Sequence, residues 1–286
     1  MSVLCIRPYI GNANGLCNQL SFLINGLIYA SKNGIHNVII DNFLTDNVSL
    51  ASCPFSEIID IPTFNIFLTN YNVTLKDKNY LNMQINNAFM ENEFVNCIHN
   101  GKTSVDDRWL DFSLFYNIYN NIPFHPKFYN LANNLISEIK QKLGNDIKIN
   151  VIHLRIEDDA INHWSKMNNI PAVLYKKILI TKYLFFIKKY INKDVFTIVM
   201  SYNKKNAIIS YLNNNRYYFY TKKSDFSDGR ECNALKDLLL ARKMNNFFIG
   251  AAGSTFSHFI VNSSSFKRAM LIDIININNP VQIINK

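Results

Sequence analysis

The sequence predicts an α/β protein built from two Rossmann-like domains, each a parallel sheet covered by helices. Three observations carry this. At the N-terminus a strand-like run, a glycine loop, a helix-like run and a second strand-like run follow in order. Through the second half, strand-like and helix-like stretches alternate regularly, the pattern of a parallel sheet with helices on both faces. The chain has 286 residues, room for about two domains of ordinary size.

The first unit opens with Val3-Leu4-Cys5-Ile6, a short apolar run that reads as a buried strand. A Gly/Asn loop from Gly11 to Cys17 follows. Leu20, Leu23, Ile24, Leu27 and Ile28 then recur at the spacing of one helix face, with Gly34 as the helix stop. Val38-Ile39-Ile40-Asp41 supplies the next strand. Asn42 to about Pro126 holds short apolar bursts among many asparagines and reads as loops and short elements. Phe128, Leu131, Leu135 and Ile139 mark a helix over about Pro126–Leu143, and Gly144-Asn145 breaks it, so the domain boundary is expected at 145.

In the second half the strands are expected at Ile149–Leu154, Phe196–Met200, Tyr217–Tyr220, Phe247–Ile249 and Ala269–Ile272. The helices between them are expected at about Val173–Ile191, Lys204–Leu212 and Asn233–Met244, and from Ser254 onward.

Composition narrows the function classes. With 48% hydrophobic and 18% charged residues the chain suits a folded globular protein rather than a disordered one. A net charge of +9 favours anionic partners. The basic residues are dispersed, however; the denser groups, Lys188-Lys189 with Lys193, Lys204-Lys205 and Lys222-Lys223, read as solvated faces. No basic helix or RNA-binding aromatic signature stands out, so no nucleic-acid partner is expected. The five cysteines, Cys5, Cys17, Cys53, Cys97 and Cys232, are widely spaced and contain no C-x-x-C pair, which argues against a disulfide framework and a zinc site. No signal-peptide pattern opens the chain and no apolar run reaches spanning length, so a cytoplasmic setting without a transmembrane segment is expected. Asn47, Asn72 and Asn262 stand in N-x-S/T sequons, which carry meaning only in the secretory pathway.

Three segments have the residue types for anion chemistry. In Gly11-Asn12-Ala13-Asn14-Gly15-Leu16-Cys17-Asn18-Gln19, glycines let backbone N–H groups approach an anion and the following helix adds its positive end. The loop is neither G-x-G-x-x-G nor a Walker loop, and a plain strand-to-helix turn fits it equally. In His153-Leu154-Arg155, at the end of a predicted buried strand, the arginine can fork onto phosphate oxygens, or can pair with Glu157 or Asp159. In Phe247-Phe248-Ile249-Gly250-Ala251-Ala252-Gly253-Ser254-Thr255-Phe256-Ser257, a strand runs into small residues and then Ser/Thr at a helix start. Those hydroxyls serve either as an N-cap or as a phosphate seat. There is no D-x-D pair. Glu157-Asp158-Asp159 is the one carboxylate run that could imitate a metal-carrying loop, and no metal is expected. Neither a G-x-S-x-G elbow nor an H-E-x-x-H zinc motif is present.

Taken together, the three segments resemble the protein O-fucosyltransferase-like branch of the GDP-fucose fucosyltransferase superfamily. The likeness rests on Gly15-Leu16-Cys17-Asn18-Gln19 beside that family's G-N-Q loop and on Val151-Ile152-His153-Leu154-Arg155-Ile156 beside its H-L-R-I segment. It rests also on Asp237-Leu238 through Phe248-Ile249-Gly250 to Ser254-Thr255-Phe256-Ser257. Gly15 and Cys17 stand where the family often carries an arginine and a second glycine, and Glu157 where it has a small residue.

The resemblance implies the GT-B architecture, two Rossmann-like domains whose parallel sheets face a central cleft. Residues 1–145 would then be the acceptor side and 146–286 the nucleotide-sugar side. It implies an inverting transfer without a metal or other cofactor. GDP-fucose is expected first as donor and a UDP-sugar second; the sugar is fucose, another deoxysugar or a pentose, and the acceptor a hydroxyl of a glycan or protein. Asn14, Gly15 and Asn18 would lie near the donor phosphates or sugar, and Arg155 would grip the β-phosphate. His153 and Asp237 would contact the ribose or base, while Ser254, Thr255 and Phe256 hold the diphosphate. Glu157, Asp158 and Asp159 are the candidate bases beside Arg155. The other reading is a non-catalytic nucleotide- or glycan-binding module on the same fold.

Overall fold

The structure is a computed structural model that describes residues 3–8, 15–46, 48–78, 112–202, 205–221 and 228–285. Asn14 and the rest of the glycine loop before Gly15 lie outside the described residues, as do Asn47, Cys97, Lys204, Lys222 and Lys223. By Cα proximity the chain divides into Met1–Asn130 with Phe226–Lys236, and Leu131–Asp225 with Asp237–Lys286.

In the first unit, β1 (Val3–Ile6), β2 (Asn37–Ile40) and β5 (Thr74–Asp77) form a parallel sheet in that order. Helix α1 (Leu16–Lys32) joins β1 to β2. All five residues of its expected apolar face are at most 2% exposed. Phe22, Gly26 and Ala30 are buried as well, so the helix is covered on more than one side; α3 (Phe112–Asn120) packs against it. Gly34 has φ +65°, and the Ile35 N–H reaches back to Ala30 O at 2.9 Å, so glycine ends the helix as its freedom at positive φ allows.

The stretch read as loops contains short elements: β3 (Phe43–Leu44) pairs antiparallel with β4 (Ser52–Cys53), and α2 (Ile61–Leu68) precedes β5. Asp60 caps α2 through the Thr63 N–H at 3.1 Å. The buried amide of Gln19 ties α1 to β3: its Nε2 donates to Leu44 O at 3.0 Å, and its Oε1 accepts from Leu44 N at 2.8 Å. Both hydrogen-bonding groups of one strand residue are thereby satisfied by one side chain.

Helix α4 (Pro126–Leu143) matches the expected span and ends at Gly144, φ +94°. The second unit holds a six-stranded sheet in the order β11-β10-β9-β6-β7-β8. Its strands are β6 (Asn150–His153), β7 (Thr197–Met200), β8 (Phe219–Thr221), β9 (Phe247–Ala251), β10 (Arg268–Ile272) and β11 (Gln282–Asn285). All neighbouring pairs are parallel except β10 with β11. Counted from β6, the five parallel strands stand in the order 3-2-1-4-5, that of a dinucleotide-binding sheet. β6, β7 and β9 are buried at every residue, as a sheet covered on both faces requires.

The helices between are α5 (Asp158–Met167), α6 (Ala172–Tyr190), α7 (Ala207–Asn214), α8 (Arg230–Arg242) and α9 (Thr255–Ser263). On α6, Tyr175, Leu179, Tyr183 and Ile187 recur every four residues, each at most 1% exposed, and pack with Ile152, Ile249 and Met270 in one core. In the second unit two described elements were not expected, α5 and the edge strand β11. Among the described residues, no helix is long and apolar enough to cross a membrane.

Candidate functional site

The strand order decides where a ligand can enter the second sheet. β6 is flanked by β7 on one side and β9 on the other, and the chain's connections leave in opposite directions from it. In open α/β sheets the crevice beyond the carboxyl ends of such a strand pair is the ligand site. β6 ends at His153 and β9 at Ala251, so H-L-R and the Gly-Ser-Thr turn flank one point.

His153 is 9% exposed, and its Nδ1 lies 2.8 Å from Ser257 Oγ. The ring of Phe256 sits 4.8 Å away at 47°. Burial first, and the Arg155 charge second, push the imidazole down to about 3, so it is neutral at ordinary pH. Its backbone carbonyl accepts from Tyr183 Oη at 3.0 Å, and the same hydroxyl accepts the Arg155 N–H at 3.4 Å. Tyr183, from α6, thus pins the turn that carries both residues. Its four-residue repeat is visible in the sequence; its hydroxyl's partners are not.

The Arg155 guanidinium is held by two carboxylates: Glu157 Oε2 at 2.9 Å from Nη1, and Asp159 Oδ2 at 3.0 Å from Nη2. Burial weakens its hold on the proton, and the two carboxylates outweigh that effect and raise its pKa. Side-chain exposure is 27% for Arg155, 12% for Glu157 and 58% for Asp159, so one partner is enclosed and the other reaches water. The acidic run is the start of α5 rather than a loop: Glu157 is the N-cap, and Asp158 and Asp159 occupy the first turn, where negative charge suits the helix dipole. Asp158 is 84% exposed and pairs with Lys176 at 2.9 Å. Among the described residues no group of three or more His, Cys, Asp or Glu is placed to hold a metal.

At the end of β9 both glycines answer to packing. A Cβ on Gly250 would lie 2.6 Å from Phe248 Cε1 and from Ser257 Oγ, and one on Gly253 2.8 Å from Ile274 and Ile275 Cγ1. The turn is pinned by Ala251 N to Ser257 Oγ at 3.0 Å, Ala252 N to Ile272 O at 2.8 Å, and His258 Nε2 with Ala252 O at 2.6 Å. Ser254 is the N-cap of α9, 7% exposed, and its hydroxyl makes no capping hydrogen bond. Thr255 and Phe256 are half-buried in the first turn of α9. The amides of that turn have no helical partner by construction. Asp237, half-buried on α8, lies close enough to Tyr220 of β8 that its charge adds to burial in raising that phenol.

The first unit differs. Gly15 is the N-cap of α1 without a side-chain cap, and Leu16 N–H donates to Glu231 Oε2 at 2.6 Å. Glu231 is 3% exposed, and its own N–H donates to Thr45 O at 2.8 Å. Gly229, at φ +84°, lets this contact form, since a Cβ there would meet Thr45 O at 2.4 Å. Burial first and the Glu231 charge second raise the Cys17 thiol well above its ordinary value, so it is a packed thiol. Asn18 is half-buried on the first turn of α1. Tyr183, Glu231 and Ser257 are site residues to which sequence reasoning assigned no role.

A two-unit α/β chain with this strand order has the fold class of the GT-B fucosyltransferases, as the sequence resemblance implies. Over 99% of its length it is similar to 98% of the fucosyltransferase NodZ from Bradyrhizobium, with TM-score 0.62 and 14% identity. A NodZ alpha-1,6-fucosyltransferase co-crystallised with GDP matches over the same shares with TM-score 0.57 and 14% identity. POFUT1 in complex with GDP-fucose matches 92% of this chain and 94% of its own with TM-score 0.54 and 11% identity. At these identities the likeness is one of fold. By sequence, no family model and no curated protein matches.

Proposed function

We propose that the chain is a glycosyltransferase that moves a sugar, fucose first, from a nucleotide-diphosphate donor, GDP-fucose first, to a hydroxyl of a glycan or protein. The observation that carries this is the convergence of His153, Arg155 and the uncapped start of α9 on the switch point of a dinucleotide-type sheet. Fold neighbours that were crystallised with GDP or GDP-fucose support the donor class.

In this reading the diphosphate takes the place of the half-exposed Asp159 on Arg155, while enclosed Glu157 keeps the guanidinium aimed. The first-turn amides of α9, with Ser254 and Thr255, take the other oxygens, and Phe256 covers the nucleotide. As the sugar–phosphate bond breaks, negative charge builds on the leaving diphosphate, and the guanidinium and helix end stabilise it where it develops. The acceptor hydroxyl attacks the opposite face of the sugar, inverting it. Its proton passes to Glu157, Asp158 or Asp159, or late to the departing phosphate. No metal is required, because Arg155 and the helix end supply the positive charge.

The direct test is incubation with GDP-fucose, and in parallel with UDP-sugars, with and without a glycan acceptor. GDP release above the enzyme-free rate, unchanged by EDTA, is expected. A strict Mn²⁺ requirement would replace the metal-independent mechanism by a carboxylate–metal one. One observation favours a non-catalytic binding module: Arg155 already has two carboxylate partners. A rise in melting temperature with GDP but no donor turnover on any acceptor would select that module.

A further inference from the structure

We propose that Ser257 is a positioning residue that holds His153 as its Nε2–H tautomer, so that the imidazole meets a ligand at the strand ends as a hydrogen-bond donor. The group it recognises is then an oxygen with a lone pair, a diphosphate or ribose oxygen, rather than an N–H of a base. The tautomer follows from hydrogen-bond accounting alone; its use for a ligand rests on the function proposed above.

Ser257 is fully buried, at 0% exposure. Among the described residues its Oγ has two hydrogen-bond partners, Ala251 N at 3.0 Å and His153 Nδ1 at 2.8 Å. The Ala251 amide is a donor and occupies one lone pair of the hydroxyl. The hydroxyl proton must then go to the other partner, because a buried donor without an acceptor carries its full desolvation cost. His153 Nδ1 can accept that proton only when it bears none itself. The single proton of the neutral ring therefore sits on Nε2.

The opposite tautomer would donate from Nδ1 into Ser257 and strand the hydroxyl proton in a fully buried place. The surroundings hold the ring in one pose. Tyr183 grips the His153 carbonyl, and Phe256 lies against the imidazole. A Cβ on Gly250 would lie 2.6 Å from Ser257 Oγ, so glycine there leaves the hydroxyl its place. Burial and the nearby Arg155 keep the ring neutral, so the donor is Nε2–H of an imidazole and not of an imidazolium. Ser257 thus acts through His153 and touches no ligand itself.

Two-bond ¹⁵N–¹H correlation on the full chain labelled with ¹⁵N-histidine reads the tautomer directly. The chain has six histidines, and His153 is identified by the signal missing from His153→Gln. The expected result is a pyridine-type Nδ1 and a pyrrole-type Nε2, the latter correlated with both Hδ2 and Hε1. A pyrrole-type Nδ1 overturns the assignment. Ser257→Ala is expected to shift the ring toward a mixture of tautomers and Ser257→Thr to retain the wild-type pattern. An unchanged tautomer in a folded Ser257→Ala protein overturns the positioning role. In wild type, GDP is expected to move the Nε2 resonance, and Ser257→Ala to weaken GDP about tenfold, the worth of about one hydrogen bond. If the tautomer stands as stated and saturating GDP leaves Nε2 unmoved, the ligand half fails, whereas donor turnover tests the transferase reading separately.

Discussion

Helices α1 and α9 come after the parallel strands β1 and β9 in the chain, and both begin without a side-chain capping bond, α1 at Gly15 and α9 at Ser254. What fills the positive end differs. At α1, the Leu16 amide is taken by the buried carboxylate of Glu231, so the anion that this glycine loop suits is supplied by the chain itself. At α9 the turn is held by Ser257, Ile272 and His258 and by the Ser254 N–H on Ala251 O at 3.1 Å, and none of these partners is a carboxylate. The comparison teaches that a glycine loop before a helix specifies an affinity for negative charge without specifying its source. Under the proposed function, the expected weight of donor binding lies on the second unit, with Gly15 and Asn18 in a supporting place.

The largest expected effect tests the second unit. Arg155→Ala should lower turnover by ~100-fold or more, as for loss of a donor to developing transition-state charge. Near-normal steady-state turnover in that variant would remove the arginine from the mechanism.

Acid should weaken the same region next. His153 is depressed to about 3 in the fold, against an ordinary value near 6.5, so between those values the unfolded chain binds the extra proton. Stability is therefore full above pH ~6.5 and falls as pH drops, by about 2–3 kcal/mol at pH ~4.5. Urea melts of wild type and His153→Gln at the two pH values should show this slope only in wild type. Equal slopes would mean that the ring titrates normally.

Glu231→Ala tests the first unit. Loss of a charge-assisted bond to a buried amide should cost about 1–3 kcal/mol in stability, and Kd for GDP should stay within about twofold. Ser254→Ala should do the reverse, costing a few tenths of a kcal/mol, since no cap bond is lost, while weakening GDP several-fold. If Glu231→Ala instead abolishes GDP binding in a folded protein, the two helix ends are not divided as described. The smallest effect is expected for Asp159→Asn: by removing a competitor for Arg155, it should lower the donor KM about two- to threefold. A large fall in kcat with unchanged KM would make Asp159 the base.

Much of this was legible in the residues. Leu20, Leu23, Ile24, Leu27 and Ile28 lie at most 2% exposed where their spacing put them, and the strands of the second sheet appear in the expected order. H-L-R and the Gly-Ser-Thr turn were read as strand-end segments, and the sheet order brings those ends together. The failures are physical. α5 starts at Asp158 with Glu157 as its N-cap, and the acidic run imitates a loop because acidic residues suit both a turn and a helix start. Between Asn42 and Pro126 the strands are as short as two residues, too few to show a period. Gly250 and Gly253 stand where a Cβ would meet Phe248, Ser257, Ile274 and Ile275, a crowding that only distant segments create.

Sequence alone determined the order and type of the long elements and the α/β class, because side-chain period follows from local dihedral geometry. Tertiary structure alone decided the partners: Glu231 with Leu16, 215 residues apart, and Ser257 with His153, 104 apart. Hydrogen bonds across strand crossovers leave no local repeat, so the tautomer of one histidine and the closure of one helix end become readable only when distant segments meet.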